Sequence, residues 1–313
     1  MKPLTGLFLG AGASFEAGMP LAWELTGEIK KWLTAKKIRE LNAGWRAQDN
    51  GYSDTVVDDL ISVIERPELH YEAVLGHLEL QFRRQRVLPQ EYHGIYSWLV
   101  ELVYYLLYYR QVNNKAYLNR HLPRYDGIRA LVDANAPLWV FSLNHDVMVE
   151  AIAARLSVPL HRGFSTSRIT LPRRDRFGKE KGEIHAEVIT KHDLEHHAMY
   201  FPNPLQPGIY LLKVHGALDI FTFNNGEDML KLLPDAPGID GVIDVLRAAN
   251  EDLFIQRPGF GGAVPRPSTR SPTRTGRARC SFCGEASSGA HSNSILANTK
   301  CFRSRSSSTF HKI

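Results

Sequence analysis

Cysteine is missing from the first 279 residues; the three in the chain are Cys280, Cys283 and Cys301. The body therefore has no disulfide framework and no sulfur-bound metal site. Long apolar runs are missing too. The richest, "WLVELVYYLLYY" from Trp98 to Tyr109, is interrupted by Glu101 and falls short of the roughly 20 residues that span a bilayer. It reads as a core helix. The opening "MKPLTGLFLG" lacks the apolar length and cleavage site of a signal peptide. No membrane partner is expected, and the expected location is the cytoplasm. No internal repeat is visible.

What is present is an ordinary globular composition, 43% hydrophobic and 23% charged over 313 residues, enough for one large domain or two modest ones. The net charge of +5 is unevenly spread. From Pro258 onward nine Lys and Arg face one acid, which leaves 29 bases against 32 acids before it. The basic character belongs to residues 258–313, a Ser-, Arg- and Pro-rich tail without periodicity, for which disorder is the default reading. Within it, Cys280-x-x-Cys283 with His291 and Cys301 would suit one zinc knuckle beside an Arg-rich, nucleic-acid-binding flank. The plainer reading is an unstructured tail.

Residues 1–257 read as α/β. Leu4 to Leu9 predicts a short buried strand. "PLWVFSL" (Pro137 to Leu143) predicts a second, "GIYLLKVHG" a third and "LDIFTF" a fourth, with helices between them. That alternation predicts a Rossmann-like open parallel sheet with ligands at the carboxyl ends of its strands. The helical stretch between the first two strands, about residues 20–135, is too long for a simple crossover and reads as an inserted helical subdomain. The polar segment from Ser165 to Pro207 reads as an insertion or mobile loop. Its His192, His196 and His197 have helical ligand spacing but no evident carboxylate partner, so no metal is expected there.

Three strand ends carry polar chemistry. "LFLGAGASFEAGMP" places Gly10, Ala11, Gly12, Ser14, Glu16 and Gly18 in a strand-to-helix turn, where backbone can approach a pyrophosphate closely. No G-K-[ST] follows, which excludes the Walker-type phosphate loop. "FSLNHD" delivers Asn144 and Asp146, and "LKVHGALD" delivers His215.

These motifs, in this order, resemble those of the sirtuin family: the G-A-G-x-S turn from Gly10 to Ser14, Asn144-His145-Asp146 after a central strand, and His215-Gly216 after the next. Within that family the wording is similar to bacterial sirtuin-like NAD hydrolases of anti-phage systems. The resemblance implies that NAD is the substrate, with its pyrophosphate on the glycine turn. It implies that Asn144 serves the nicotinamide ribose and the attacking water, that Asp146 arranges the pocket, and that His215 is the general base. Glu16 stands where a lysine is not needed, because no phosphoryl group is transferred. Family deacylases carry "GIPDFR" where this chain reads "GMPLAWE", and two Cys-x-x-Cys pairs soon after the H-G; both are missing here. The only late glycine-rich turn is "EDLFIQRPGFGG" (Glu251 to Gly262). The expected function is hydrolysis of NAD to nicotinamide and ADP-ribose in anti-phage defence. An enzyme that destroys NAD needs restraint, so a regulatory partner or homo-oligomer is expected. The alternatives are an NAD-dependent deacylase or ADP-ribosyltransferase and, in a different class, a non-catalytic NAD or ADP-ribose sensor.

Overall fold

The computed structural model describes residues 6–84, 88–164, 167–174, 177, 179–196, 199–223, 228–250 and 279–280. After strand β1 (Gly6–Leu9) and the single turn α1 (Gly12–Phe15) come the helices α2 (Ala22–Trp32), α3 (Ala35–Arg46), α4 (Asp54–Ile64), α5 (Tyr71–Arg83), α6 (Pro89–Asn113) and α7 (Lys115–His121). A 3-10 turn (Leu122–Tyr125) and α8 (Ile128–Ala134) lead into β2 (Leu138–Ser142), α9 (Met148–Leu156) and β3 (Leu160–His161). The remainder holds β4 (Arg168–Arg174), β5 (Glu180–Ile189), α10 (Lys191–Glu195), β6 (Ile209–Lys213), β7 (Ile220–Phe223), β8 (Asp228–Leu233), α11 (Gly238–Ala248) and β9 (Arg279–Cys280). Among the described residues, 20–106 form one compact unit; 6–19 and those from 107 to 280 form the other.

The helical unit builds its core from the apolar faces of α2 to α6, with Leu25, Ile29, Ile38, Leu60, Leu78, Ile95 and Trp98 all buried. Each such side chain contributes roughly 1.5–3 kcal/mol by leaving water. The aromatic run beginning at Trp98 lies in α6 and is mostly buried, as its composition predicts. Among the described residues no helix is long and apolar enough to cross a membrane.

The other unit holds a four-stranded, all-parallel sheet of order β1-β2-β6-β3. Period-two alternation assigns its faces: Leu138, Val140 and Ser142 of β2 are buried, whereas Phe141 is exposed. Leu138, Val140, Ile209 and Leu211 join Val149 and Ala153 of α9 and Val132 of α8 in one core cluster. Leu9 pairs with Ser142, and Ser142 with Lys213, so β1, β2 and β6 end in line. The glycine turn, the Asn-His-Asp turn and the Val214-His215-Gly216 turn thus leave the sheet at one edge.

Two expectations need correction. The polar stretch from Ser165 to Pro207 is not simply a loop: it holds β4 and β5, joined antiparallel from Arg168 opposite Glu187. The dense charges hide a buried alternation, Ile184 and Ala186, on one face. The fourth expected strand, β7, does not extend the parallel sheet. It joins an antiparallel sheet of order β4-β5-β8-β7-β9, because β6 and β7 are too close in sequence for a parallel crossover. The expected glycine-rich turn at 251–262 and the knuckle residues Cys283, His291 and Cys301 lie outside the described residues. So does the rest of the tail except Arg279–Cys280, whose backbone pairs with β7 as β9.

Candidate functional site

The site starts with the turn behind β1. Ala13 N and Ser14 N, early amides of α1, close it onto Gly10 O and Ala11 O. Neither Gly10 nor Gly12 has a positive φ, so neither is glycine for conformational reasons. A Cβ at either position would meet nothing within 4 Å. Gly18 differs: its φ is +89°, and an added Cβ would lie 3.0 Å from the Tyr117 ring. It serves the chain reversal after α1. Ala11 is exposed. Glu16 is exposed and ion-paired with Arg124. Next to Arg124, the Tyr125 hydroxyl is buried without a hydrogen-bond partner among the described residues; burial, then Glu16 and Asp146, push that phenol up.

The Asn-His-Asp turn grips the glycine turn. Asn144 Nδ2 donates to Gly10 O at 2.9 Å and to Ser14 Oγ at 2.6 Å. A carbonyl partner requires the amide nitrogen on that side, so Oδ1 is the atom left without a partner among the described residues. The buried Ser14 hydroxyl passes its proton toward Asp146 Oδ2 at 2.5 Å. The other oxygen of Asp146 accepts from Met148 N, the first amide of α9, at 3.0 Å. Asp146 is only 5% exposed. Both of its oxygens are committed to protein donors, which makes it a strut between the glycine turn and α9. Ser142 Oγ, at the end of β2, accepts from Asn144 N at 3.1 Å.

His215 stands exposed on the third turn, with its ring centroid 6.4 Å from that of His145. Leu218 N donates to His145 O at 2.8 Å, which ties the second turn to the third. The structure thus brings Gly10, Gly12, Ser14, Asn144, Asp146 and His215 to one sheet edge; Glu16 and Gly18 belong to the flank of the turn.

Sequence reasoning missed the charged layer beneath. Lys213 Nζ donates to Asp146 O and, at 3.3 Å, to Asn144 O, and lies 3.5 Å from Glu150 Oε2. Glu150 Oε1 is 2.7 Å from Lys231 Nζ, which is 2.6 Å from Asp219 Oδ2. All four side chains are less than a tenth exposed. Burial alone would raise the Glu150 carboxyl, but Lys213 and Lys231 outweigh it and hold it low. Burial alone would lower Lys213, yet Glu150, Asp146 and Asp219 hold its ammonium above the ordinary lysine value. For Asp219 burial prevails over Lys231, and its carboxyl is pushed up. The available signal was each charge's setting in an apolar run, such as "VMVEAIA" or "LKLL", since such charges are buried only when paired.

His145 was passed over as well. Burial first, then the Lys213 ammonium, push its imidazole down to about 3, against a favourable bond to the Gly216 backbone. The ring is neutral at working pH. Its folded value lies below the ordinary value of 6.5, so the unfolded chain takes up the proton first as pH falls. Stability is therefore lost from about pH 6.5 downward, by at most about 1.4 kcal/mol per pH unit. His145→Gln removes this contribution. Thermal midpoints at pH 7 and pH 5 should lie closer together in that variant than in the parent; an equal gap would contradict a neutral, buried His145.

Among the described residues no group of three or more His, Cys, Asp or Glu is placed to hold a metal ion. His192 and His196 stack on each other on α10, with centroids 4.1 Å apart. A scan against protein-family models finds no match to this chain, and no curated protein matches it.

Proposed function

We propose that the chain is an NAD hydrolase, releasing nicotinamide and ADP-ribose from the edge where β1, β2 and β6 end. The observation that carries this reading is the pair Gly10 and Gly12. Both have backbone geometry that any residue could adopt, and both face open space where a side chain would stand. A ligand backbone such as a pyrophosphate gives that emptiness a purpose. Asn144 supports the reading: its amide nitrogen fixes the turn while its Oδ1 remains available as an acceptor.

Breaking the bond between nicotinamide and ribose builds oxocarbenium character on the sugar while neutral nicotinamide leaves. The step needs a held water and an acceptor for a ribose hydroxyl more than it needs an acid. Asn144 Oδ1 would hold the water or hydroxyl. His215 would take the proton, imidazole being the side chain that exchanges protons near neutral pH. Asp146 and Ser14 keep Asn144 aimed. An acyl-lysine peptide has no part in this scheme. In this reading the enzyme acts in the cytoplasm, depleting NAD during phage infection. It is restrained beforehand by a partner protein or by self-association.

His215→Ala tests the assignment. It should abolish nicotinamide release while leaving NAD affinity within about tenfold, because the imidazole acts in the chemical step rather than in ground-state binding. Unchanged turnover would remove His215 from the mechanism.

A further inference from the structure

We propose that Lys213 is the positioning residue of this site: its buried ammonium holds the carbonyls of Asn144 and Asp146 and so sets the direction in which the Asn144 side chain is presented. The inference rests on the proposed NAD chemistry for its activity readout, and on geometry alone for its structural one. Lys213 ends β6 directly opposite Ser142, the last residue of β2. Its side chain runs beneath the turn that follows β2, and only 3% of it is exposed. Its ammonium donates to two carbonyls there, Asn144 O and Asp146 O, and lies 3.5 Å from Glu150 Oε2.

Two carbonyls separated by one residue and turned onto a single cation fix the 144–145 and 146–147 peptide planes, one on each side of the His145–Asp146 peptide. Those planes determine where Asn144 and His145 point. Asn144 in turn holds Gly10 O and Ser14 Oγ, so an error in the turn is passed to the glycine turn. Stability is a poor reason to keep this lysine. A buried ion pair roughly breaks even against an apolar residue of the same volume, and Glu150 already has Lys231 at 2.7 Å. What an apolar residue would leave behind is two inward-facing carbonyls without a donor, which the turn must move to satisfy.

The experiment compares two lesions in one charge network. Lys213→Met removes the donor to the turn but leaves Glu150 paired with Lys231. The double variant Lys231→Met with Asp219→Asn removes the neighbouring pair, whose side chains have no bond to the turn, and leaves Glu150 to Lys213. Hydrogen exchange is read at the amides of residues 143–148, and nicotinamide release from NAD on the same full-length proteins. Lys213→Met should speed exchange in this turn by about tenfold or more and lower kcat by about thirtyfold or more. The double variant, even with an equal or larger fall in thermal midpoint, should leave the exchange of the turn unchanged and kcat within about threefold. Equal exchange of the turn in the two variants overturns the positioning role, as does a kcat loss that follows midpoint alone. A parent protein that releases no nicotinamide counts against the NAD reading, and the exchange comparison still decides the role of Lys213.

Discussion

Nicotinamide release from NAD should fall at least about a hundredfold when Asn144 is replaced by alanine, the usual scale for losing one positioned polar group at a reacting centre. In the proposed mechanism the loss has two sources. Oδ1, the acceptor offered to water or ribose, disappears. So do the two bonds from Nδ2 that hold Gly10 O and Ser14 Oγ. The rate should therefore drop mainly through kcat, with a smaller rise in KM as the glycine turn loosens. Asp146→Asn works one step further back. It weakens the acceptor for the Ser14 hydroxyl and for the first amide of α9, and should weaken NAD binding as well as slow turnover. Steady-state kinetics on the two variants check this. Full activity in both would reduce the Asn-His-Asp turn to a structural corner.

Gly12→Val should abolish NAD binding while barely disturbing the fold. Gly12 begins α1 without a positive φ, and its missing Cβ faces open space. Valine there costs no clash and no left-handed strain; helix propensity even favours it over glycine by a few tenths of a kcal/mol. A pyrophosphate lying against that backbone would be displaced by the isopropyl group. At a hundred times its Kd, NAD should stabilise the parent by about 2.7 kcal/mol, a rise of several degrees in thermal midpoint for a body of this size. The variant should unfold at the parent's ligand-free temperature, with and without millimolar NAD. A variant that still shifts would mean that Gly12 serves only the turn.

Three strands of the parallel sheet, β1, β2 and β6, were legible because each is an apolar run with glycine or polar residues at its end; β3, only Leu160–His161, was too short to give a pattern. Leu9, Ser142 and Lys213 mark those ends in the sequence and align in the structure. The antiparallel sheet was hidden. Its strand β5 reads "EKGEIHAEVI", where charges on the solvent face mask Ile184 and Ala186 on the other. β8 reads as an apolar run interrupted by Lys231, which looks like a break until Glu150 and Asp219 are seen beside it. Such pairings join residues far apart in the chain, and periodicity within a window cannot reveal them. For the same reason Asn144 and Asp146 were recognisable as polar residues at a strand end, whereas their division of labour was not. Only the hydrogen bonds separate the strut, with both oxygens committed, from the amide with an oxygen to spare.

The most direct test of the account is a proton NMR time course of the full-length protein with NAD alone, without acylated peptide. The account predicts that free nicotinamide and ADP-ribose appear in equal amounts, at a rate proportional to protein concentration and lost in Asn144→Ala. NAD that binds and shifts the thermal midpoint yet remains intact would contradict hydrolysis at this site and leave a sensor in its place.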